Sequence, residues 1–263
     1  MYYDPGEDEE DDYVNFRQYE RTIQDYDKAI KLNPNNSDYY NNRGVAYNNL
    51  GNVYSDLRQY ERAIQDYNKA IELNPNNASA YNNRGITYCN LGQHVPLYSG
   101  LIPYKEAIED FSKAIALKPN YISAYFNRGH AYCEIGQYKQ AIQDYAEAYY
   151  IRGIAYHNLE QYRQAIEDYD KAIKLKRNNA SAYFNRGNAH CCLEQYERAI
   201  QDYDKAIELN PNNSDYYNNR GVAYKNLGNY KKALADYEKA LEINPNNSLA
   251  KNNRQRVLGK IKK

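Results

Sequence analysis

Residues 214–247, SDYYNNRGVAYKNLGNYKKALADYEKALEINPNN, contain the pattern that decides the fold. In the first half, aromatic, small and aliphatic residues recur at steps of three or four, at Tyr217, Gly221, Tyr224 and Leu227. In the second half the same spacing holds for Tyr230, Ala233, Tyr237, Ala240 and Ile243. This period is that of one face of an α-helix. Gly228-Asn229 separates the halves and Asn-Pro-Asn-Asn ends the second, so the stretch predicts a hairpin of two helices, A and B.

The hairpin pattern recurs along the chain. Arg-Gly pairs mark it six times, with the arginines at 43, 84, 128, 152, 186 and 220 and spacings of 41, 44, 24, 34 and 34 residues. A period near 34 residues indicates a solenoid in which each hairpin stacks on the next.

The offsets of the aromatic residue, Gly, Tyr, Ala, second aromatic residue and Pro resemble the signature of the tetratricopeptide repeat family over residues 15–261. Two departures are that Arg replaces the usual Leu before the Gly, and Tyr or Phe replaces the usual Trp. The resemblance implies an all-α fold, a right-handed α-solenoid of stacked helix-turn-helix units.

On this phase the chain divides into four segments. We predict an acidic disordered tail at residues 1–14 and an N-terminal part of the array, with a lone helix B and three repeats, at 15–148. A C-terminal part of three repeats follows at 149–247, and a capping helix with a basic tail at 248–263.

Two insertions interrupt the period. Seven added residues near 53–59 keep the apolar face in phase, so we expect helix B of the first repeat to begin about two turns early. Ten added residues at 94–103 contain two Pro and a Gly and predict a loop. The loop's apolar side chains either pack onto the array or offer a partner an exposed apolar surface, at Leu97, Tyr98, Leu101 and Ile102.

A ten-residue deletion separates the third and fourth repeats. The sequence between Gln137 and Gln161 contains no Pro and no turn signal. We therefore predict that helix B of the third repeat and helix A of the fourth fuse into one long helix, with Gly153 as its weakest point. The alternative is an imperfect gene model.

Composition excludes several classes of protein. With 34 Lys and Arg against 34 Asp and Glu, the chain lacks the basic excess that nucleic-acid binding needs. It has no apolar run long enough for a membrane span and no secretory signal, so we expect a cytoplasmic protein with four free thiols. No catalytic motif or phosphate loop occurs, and we expect neither enzyme activity nor a cofactor.

An acidic and a basic residue recur where the family usually has apolar ones. Each helix B has an Asp before its aromatic residue, at Asp25, Asp66, Asp110, Asp144, Asp168, Asp202 and Asp236. Each following helix A has an Arg, at Arg43, Arg84, Arg128, Arg152, Arg186, Arg220 and Arg254. Pairing across repeat junctions leaves none of them alone, so we predict inter-unit bridges such as Asp202–Arg220. The alternative is that they are ordinary solvated charges.

The family resemblance implies that the A helices line a concave groove. One groove offset holds Asn42, Asn83, Asn127, Asn185, Asn219 and Asn253, and neighbouring offsets add Asn41, Asn49, Asn82, Asn90, Asn158, Asn188, Asn218 and Asn226. A carboxamide both donates and accepts, so a row of them could bind the backbone of an extended peptide whatever its side chains. The alternative is that the 35 asparagines reflect a compositional habit.

Two further binding chemistries are disfavoured. Some relatives hold the C-terminal carboxylate of heat-shock chaperones with basic residues, and the corresponding offsets here hold Asn41, Phe126, Phe184 and Asn218 instead. A column of soft ligands, Cys89, Cys133, His157 and Cys191, occupies one inner offset. Adjacent helices about 8–10 Å apart suit neither a disulfide nor tetrahedral zinc, so no metal site is predicted.

The sequence therefore predicts a non-enzymatic interaction scaffold or adaptor, a monomer that binds an extended protein or peptide segment in an Asn-rich groove. We expect no nucleic-acid or membrane partner. The alternative is a structural element that self-associates through the open array ends or the 94–103 loop.

Overall fold

The structure, a computed structural model, describes residues 6–94 and 97–261, with side chains described for 16–94 and 101–261. These residues form α-helices and no strand. The helices are α1 Gly6–Leu32, α2 Ser37–Tyr54, α3 Leu57–Leu73, α4 Ala78–His94, α5 Leu97–Leu117, α6 Ile122–Glu134, α7 Tyr138–Asn158, α8 Tyr162–Leu175, α9 Ala180–Cys192, α10 Tyr196–Leu209, α11 Ser214–Asn226, α12 Tyr230–Ile243 and α13 Ser248–Ile261. The predicted all-α solenoid of helix-turn-helix repeats is confirmed.

The chain forms two compact units, Met1–Asp144 and Tyr145–Lys263. In the first unit, each helix from α1 to α6 packs against the next, and the A helices α2, α4 and α6 also contact one another in order. The second unit repeats this arrangement from α8 to α13, with α9, α11 and α13 as successive A helices. Repeats 1 and 2 are α2–α3 and α4–α5, and repeats 5 and 6 are α9–α10 and α11–α12.

The fused helix predicted from the deletion is confirmed. Helix α7 begins at Tyr138 and ends at Asn158, so its first part is helix B of repeat 3 and its second part is helix A of repeat 4. Gly153 does not break it. A Cβ atom on Gly153 would lie 2.7 Å from Cε1 of Tyr169 on α8, so the glycine is needed for packing.

The core is built from Ala and Tyr because these two residues fit together at each A–B contact. Tyr169, Tyr203 and Tyr237 are almost fully buried, each against the helical Gly of its own repeat. A Cβ atom on Gly221 would lie 2.7 Å from the ring of Tyr237 and 3.2 Å from the carbonyl oxygen of Ala233. Helix A can therefore approach helix B only if this residue lacks a side chain.

The described residues of the ten-residue insertion, 94 and 97–103, lie in helices where the sequence predicts a loop. Helix α4 continues to His94, and α5 begins at Leu97 and contains Pro103. The added turns pair with each other, because Tyr104 is buried against Gly92 at 2.9 Å from the position of a Cβ atom. This packing overrides the local Pro and Gly signals. Leu97 and Tyr98 have side chains outside the described residues.

The seven-residue insertion is shared between both helices of repeat 1. Helix α2 has 18 residues against 13 in α11, and α3 has 17 against 14 in α12. Helix B thus begins three residues early rather than about two turns early. The cause is again a packed glycine, since a Cβ atom on Gly51 would lie 2.7 Å from the ring of Tyr60.

The chain ends differ from the prediction at one terminus. Residues 7–12 belong to α1, which begins at Gly6, whereas the sequence predicted a disordered tail there. The acidic residues lie at the N-terminal end of a helix, where the helix dipole favours negative charge. Helix α13, Ser248–Ile261, lies where the closing helix was predicted. Within the part of the chain that the structure describes, no helix has the length and apolarity of a membrane span.

Candidate functional site

Asparagine side chains on successive A helices of the first unit join in a hydrogen-bonded network. Asn41 Nδ2 donates to Asn42 Oδ1 at 3.2 Å on α2. Asn83 Nδ2 on α4 donates to Asn41 Oδ1 at 3.2 Å, and its own Oδ1 accepts from Asn82 Nδ2 at 3.4 Å. Asn127 Nδ2 on α6 donates to Asn82 Oδ1 at 3.3 Å. We call these five residues the first amide network.

The second unit contains a matching network. Asn219 Nδ2 on α11 donates to Asn188 Oδ1 on α9 at 2.9 Å, and its Oδ1 accepts from Asn218 Nδ2 at 3.0 Å. Asn253 Nδ2 on α13 donates to Asn218 Oδ1 at 3.0 Å. The buried Asn of each pair therefore connects one A helix to the next.

A third group joins α2 to α4 nearer the ends of these helices. Asn48 Oδ1 accepts from Thr87 Oγ1 at 2.9 Å and from Asn90 Nδ2 at 3.1 Å. Asn90 also donates to Asn52 Oδ1 at 3.0 Å, and Asn52 accepts from the Tyr60 hydroxyl at 2.9 Å. The roles of Asn48, Asn52 and Thr87 were not predicted from the sequence. The helical spacing of these residues places them on the same side of α2 and α4, and this spacing could have indicated their contacts.

These contacts fix the asparagine side chains of the A helices without using all of their hydrogen-bonding capacity. A carboxamide has two N–H donors and two acceptor lone pairs. In its contacts with Asn41 and Asn82, Asn83 uses one donor and one lone pair, and Asn219 does the same with Asn188 and Asn218. Each of these half-buried side chains is thus oriented by protein partners and has one donor and one acceptor position beyond those contacts.

The structure brings most of the predicted peptide-binding residues into such contacts, but not all. Half-buried residues are Asn49, Asn83, Asn90, Asn127, Asn185, Asn188 and Asn219. Asn185 Nδ2 donates to the Tyr150 hydroxyl at 3.1 Å, and Asn188 also accepts from the Tyr203 hydroxyl at 2.8 Å. The exposed ones are Asn42, Asn158 and Asn226. The sequence predicted that these residues bind a peptide but not that they hydrogen-bond to one another, as Asn83 does to Asn41 and Asn82.

A concave cleft of roughly 350 Å³ adjoins the first amide network. Asn42 and Asn49 of α2 line one side of it, and Tyr19 and Tyr26 of α1 line the other. The cleft thus combines amide groups with aromatic surface, a combination typical of small binding pockets.

The arginines pair within their own repeats, which corrects the predicted bridges. Arg43 Nε and Nη2 donate to Asp66 Oδ2 and Oδ1 at 2.7 and 2.6 Å. Its Nη1 donates across the junction to Asp27 Oδ1 at 2.6 Å rather than to Asp25, which pairs with Lys28. The same within-repeat pairing joins Arg84 to Asp110, Arg128 to Asp144, Arg152 to Asp168, Arg186 to Asp202 and Arg220 to Asp236.

The predicted pairing across junctions was wrong because it assumed that every Asp and every Arg at these repeat positions must have a partner from the other set. Asp25 belongs to the lone helix α1, and its side chain is 64% exposed, so it can remain solvated. Arg254 of α13 lies 3.5 Å from Glu238 Oε1. At the intact junctions the contact is made by the residue two positions after the Asp of the preceding helix B, as at Arg186–Asp170 and Arg220–Asp204.

Burial governs the electrostatics of these pairs. Burial raises the pKa of Asp66, Asp110 and Asp236, and the paired arginine acts in the opposite direction in each case. Arg220 also lies 5.6 Å from the centre of the Tyr217 ring. Because the guanidinium groups of Arg43 and Arg220 each contact two carboxylates, they are poorly placed to bind an anionic ligand.

The Cys and His column forms no metal site within the described residues, where no three His, Cys, Asp or Glu side chains cluster. None of the four cysteines forms a disulfide. Burial raises the pKa of the Cys89 thiol to about 12, which makes it a poor metal ligand. Cys191 accepts a hydrogen bond from the Tyr203 hydroxyl at 3.4 Å, and His190 Nδ1 lies 2.8 Å from Gln195 Oε1.

Family models match most of the chain. Models described as tetratricopeptide repeat match residues 122–152, 180–213 and 214–247, and one described as TPR repeat matches 17–51, 51–92, 104–136 and 153–193. The chain belongs to the tetratricopeptide repeat family. Among curated proteins, none matches it.

Similar solved structures include three TPR domains. The TPR domain of Arabidopsis OM64 is 34% identical over 44% of this chain and 96% of that chain, with a TM-score of 0.43. The first TPR of Spaghetti (RPAP3), bound to the HSP90 peptide SRMEEVD, is 28% identical over 46% of this chain and 96% of that chain, with a TM-score of 0.45. The TPR2AB domain of yeast Sti1 in its pHSP90 complex is 25% identical over 94% of this chain and 93% of that chain, with a TM-score of 0.42.

Proposed function

We propose that this chain is a non-enzymatic interaction scaffold that binds an extended peptide segment of a partner protein on the amide-bearing surface of its A helices. Its membership of the tetratricopeptide repeat family supports a role in protein interaction. The observation that carries the proposal is the state of Asn83. Two neighbouring asparagines hold this side chain, and it retains one donor and one acceptor position beyond those two contacts.

Such amides suit a peptide backbone better than they suit particular side chains. An extended peptide offers N–H and C=O groups along its length, and a carboxamide can bind either. Adjacent helices lie about 8–10 Å apart, which is close to three residues of extended chain at about 3.3 Å each. Successive A helices would therefore contact a bound peptide at about every third residue, with little dependence on its sequence.

The hydrogen bonds between the asparagines favour binding by reducing its entropic cost. Ordering a free side chain at an interface costs about 0.5–1.5 kcal/mol. Asn83 and Asn127 are already held by Asn41 and Asn82, so less of this cost remains when a peptide binds. The cleft between α1 and α2 gives the same surface a place for one peptide side chain, beside Asn42 and Tyr19.

Charge contributes little to this mode of binding. The arginines of the A helices are engaged with aspartates, as Arg84 is with Asp110 at 2.6–2.7 Å. Binding should therefore depend only weakly on salt concentration, unlike capture of an acidic peptide tail by basic residues.

The test uses a random-sequence peptide display library selected on the wild-type chain. A selected peptide is labelled, and its affinity is measured by fluorescence anisotropy for wild type and for Asn83→Ala/Asn127→Ala. We expect about a tenfold or greater loss of affinity in the double variant, corresponding to about 1.4 kcal/mol or more. Asn212→Ala, in an exposed turn, is the matched control and should bind like wild type. Failure to select any peptide, or equal affinity in all three proteins, would contradict the proposal.

A further inference from the structure

At an intact repeat junction, helix B is covered by helix A of the next repeat. Ile200 of α10 and Ala223 of α11 share one apolar cluster, and Leu234 of α12 and Val257 of α13 share another. The first unit has the same contact between Ile108 and Ala131. The residue three positions after each Arg is thus buried, with exposed fractions of 3, 0, 0, 0 and 1% at Ala46, Ala131, Ala189, Ala223 and Val257.

Helix B of repeat 3 lacks this cover. Tyr138 and Ile142 occupy the positions that Tyr196 and Ile200 occupy in repeat 5, six and two residues before the Asp. Tyr196 and Ile200 pack into an apolar cluster. Tyr138 is 65% exposed and Ile142 is 44% exposed. We call Tyr138 and Ile142 the B face.

Helix A of repeat 4 is also uncovered on the side that faces a preceding helix B in other repeats. Ala155, three positions after Arg152, is exposed, whereas its counterparts are buried. Leu159 is 66% exposed, whereas its counterpart Leu50 is 7% exposed. We call Ala155 and Leu159 the A face.

The deletion explains why both faces are open. At intact junctions the paired residues are 23 positions apart, as at Ile200 and Ala223, and a turn between them lets the two helices pack side by side. Ile142 and Ala155 are 13 positions apart and belong to one helix, α7. No turn lies between them, so the side-by-side packing of two helices seen at the intact junctions is not formed.

We propose that the B face of one copy binds the A face of a second copy, so that the chain self-associates head to tail through α7. Each copy offers both halves of a junction of the kind that the chain already forms elsewhere, with Ile142 placed as Ile200 is and Ala155 placed as Ala223 is. Such a contact is heterologous, so it can extend beyond a dimer unless the assembly closes. This replaces the expectation of a monomer and is independent of peptide binding.

The other incomplete surfaces of the chain do not match each other. Among the described residues, no helix A precedes α1 and no helix B follows α13. The A–B contacts of repeats 1, 2, 4, 5 and 6 each need a glycine directly after the Arg, as Gly221 follows Arg220. In α13, Gln255 follows Arg254 in place of that glycine. Its side chain would occupy the space that the aromatic ring of a helix B needs, as the Tyr237 ring does beside Gly221. The α7 faces are therefore the complementary pair within the described residues.

Charge substitution with mixing tests this contact. Ile142→Lys and Ala155→Glu each place an unpaired charge in the junction and should weaken association by about 100-fold or more. When the two variants are mixed, the introduced lysine of one can pair with the introduced glutamate of the other in one contact, and the other contact is unchanged, so association should return. Sedimentation velocity over a concentration series measures the mass against the 30.8 kDa of one chain.

Two controls distinguish loss of the α7 contact from unfolding and from association through another surface. Circular dichroism should show unchanged helicity in both variants, because both sites are exposed. Ile102→Lys, on an exposed apolar residue of α5, should associate like wild type. The proposal is overturned if wild type remains at 30.8 kDa throughout, if either α7 variant associates as wild type does, if the mixture stays dissociated, or if Ile102→Lys abolishes association.

Discussion

Arg220 and Asp236 form a bidentate pair inside one repeat, with Nε and Nη2 donating to Oδ2 and Oδ1 at 2.9 and 2.7 Å. The third nitrogen of the same guanidinium, Nη1, donates to Asp204 of the preceding helix B at 2.6 Å. One arginine thus joins helix A both to its own hairpin and to the previous repeat. The two carboxylates differ in burial, since the side chain of Asp236 is 8% exposed and that of Asp204 is 51% exposed.

This difference predicts unequal effects of removing the two charges. Asp236→Asn should lower the free energy of unfolding by about 3 kcal/mol, because it leaves a partly buried guanidinium without its main partner. Asp204→Asn should lower it by less than about 1 kcal/mol, because exposed ion pairs contribute little. Urea unfolding followed by circular dichroism measures both variants, and equal effects would show that burial does not set the strength of the pair.

The buried tyrosines of repeats 5 and 6 predict opposite effects of losing a hydroxyl. The Tyr237 hydroxyl is buried and has no hydrogen-bond partner among the residues that the structure describes. The Tyr203 hydroxyl donates to Asn188 at 2.8 Å. Tyr237→Phe should leave stability unchanged or raise it by up to about 1 kcal/mol, while Tyr203→Phe should lower it by about 1 kcal/mol. Thermal unfolding of the two single variants measures these effects. A greater loss of stability in Tyr237→Phe than in Tyr203→Phe would contradict the prediction.

Alkaline pH should unfold the chain. Burial raises the pKa of Tyr237 from 10.0 to about 12 and raises the pKa of Tyr67, Tyr169 and Tyr203 as well. Above about pH 10 the unfolded chain has lost tyrosine protons that the folded chain keeps, so the free energy of unfolding falls as pH rises from about 10 to 12. Tyr237→Phe removes one such group and should make this fall less steep.

Tyrosinate absorbance and circular dichroism, recorded together during the titration, check the alkaline prediction. We expect the buried tyrosines to ionise only as helicity is lost. Complete tyrosine ionisation near pH 10 with helicity intact would show that these hydroxyls are accessible in the folded state.

Two glycine-to-alanine substitutions should act in opposite directions. The added methyl group of Gly221→Ala would lie 2.7 Å from the Tyr237 ring and should destabilise the chain by about 1–3 kcal/mol. Gly259 on α13 has no atom within 4 Å of a Cβ position, so Gly259→Ala should stabilise by up to about 1 kcal/mol. Thermal unfolding measures both, and similar effects at the two sites would contradict the packing role of Gly221.

The repeat architecture could be predicted from sequence because Gly221, Tyr237 and their counterparts recur at fixed offsets, and periodicity reports helix faces directly. The fused helix α7 could be predicted for the same reason, since a deletion without a turn signal leaves a continuous pattern. The helical insertion around Pro103 could not, because local Pro and Gly signals pointed to a loop while the pairing of Tyr104 with Gly92 decided the outcome.

The candidate site was only partly predictable. Periodicity placed Asn42 and Asn83 on the A helices but carried no information on which side chain each would contact. The partner of Arg220 was misassigned for a related reason. An Asp 16 residues after the Arg and one 18 residues before it fit the repeat equally well, and only the packing of Asp236 in its own hairpin distinguishes them.

The side-chain amide signals of Asn83 and Asn127 report directly on the proposed peptide contact. The peptide selected on the wild-type chain is titrated into isotope-labelled protein, and the NH₂ resonances are assigned by single substitution. We expect the signals of Asn83 and Asn127 to shift in proportion to bound peptide while that of Asn212 does not. Unchanged signals from Asn83 and Asn127 at saturation would contradict it.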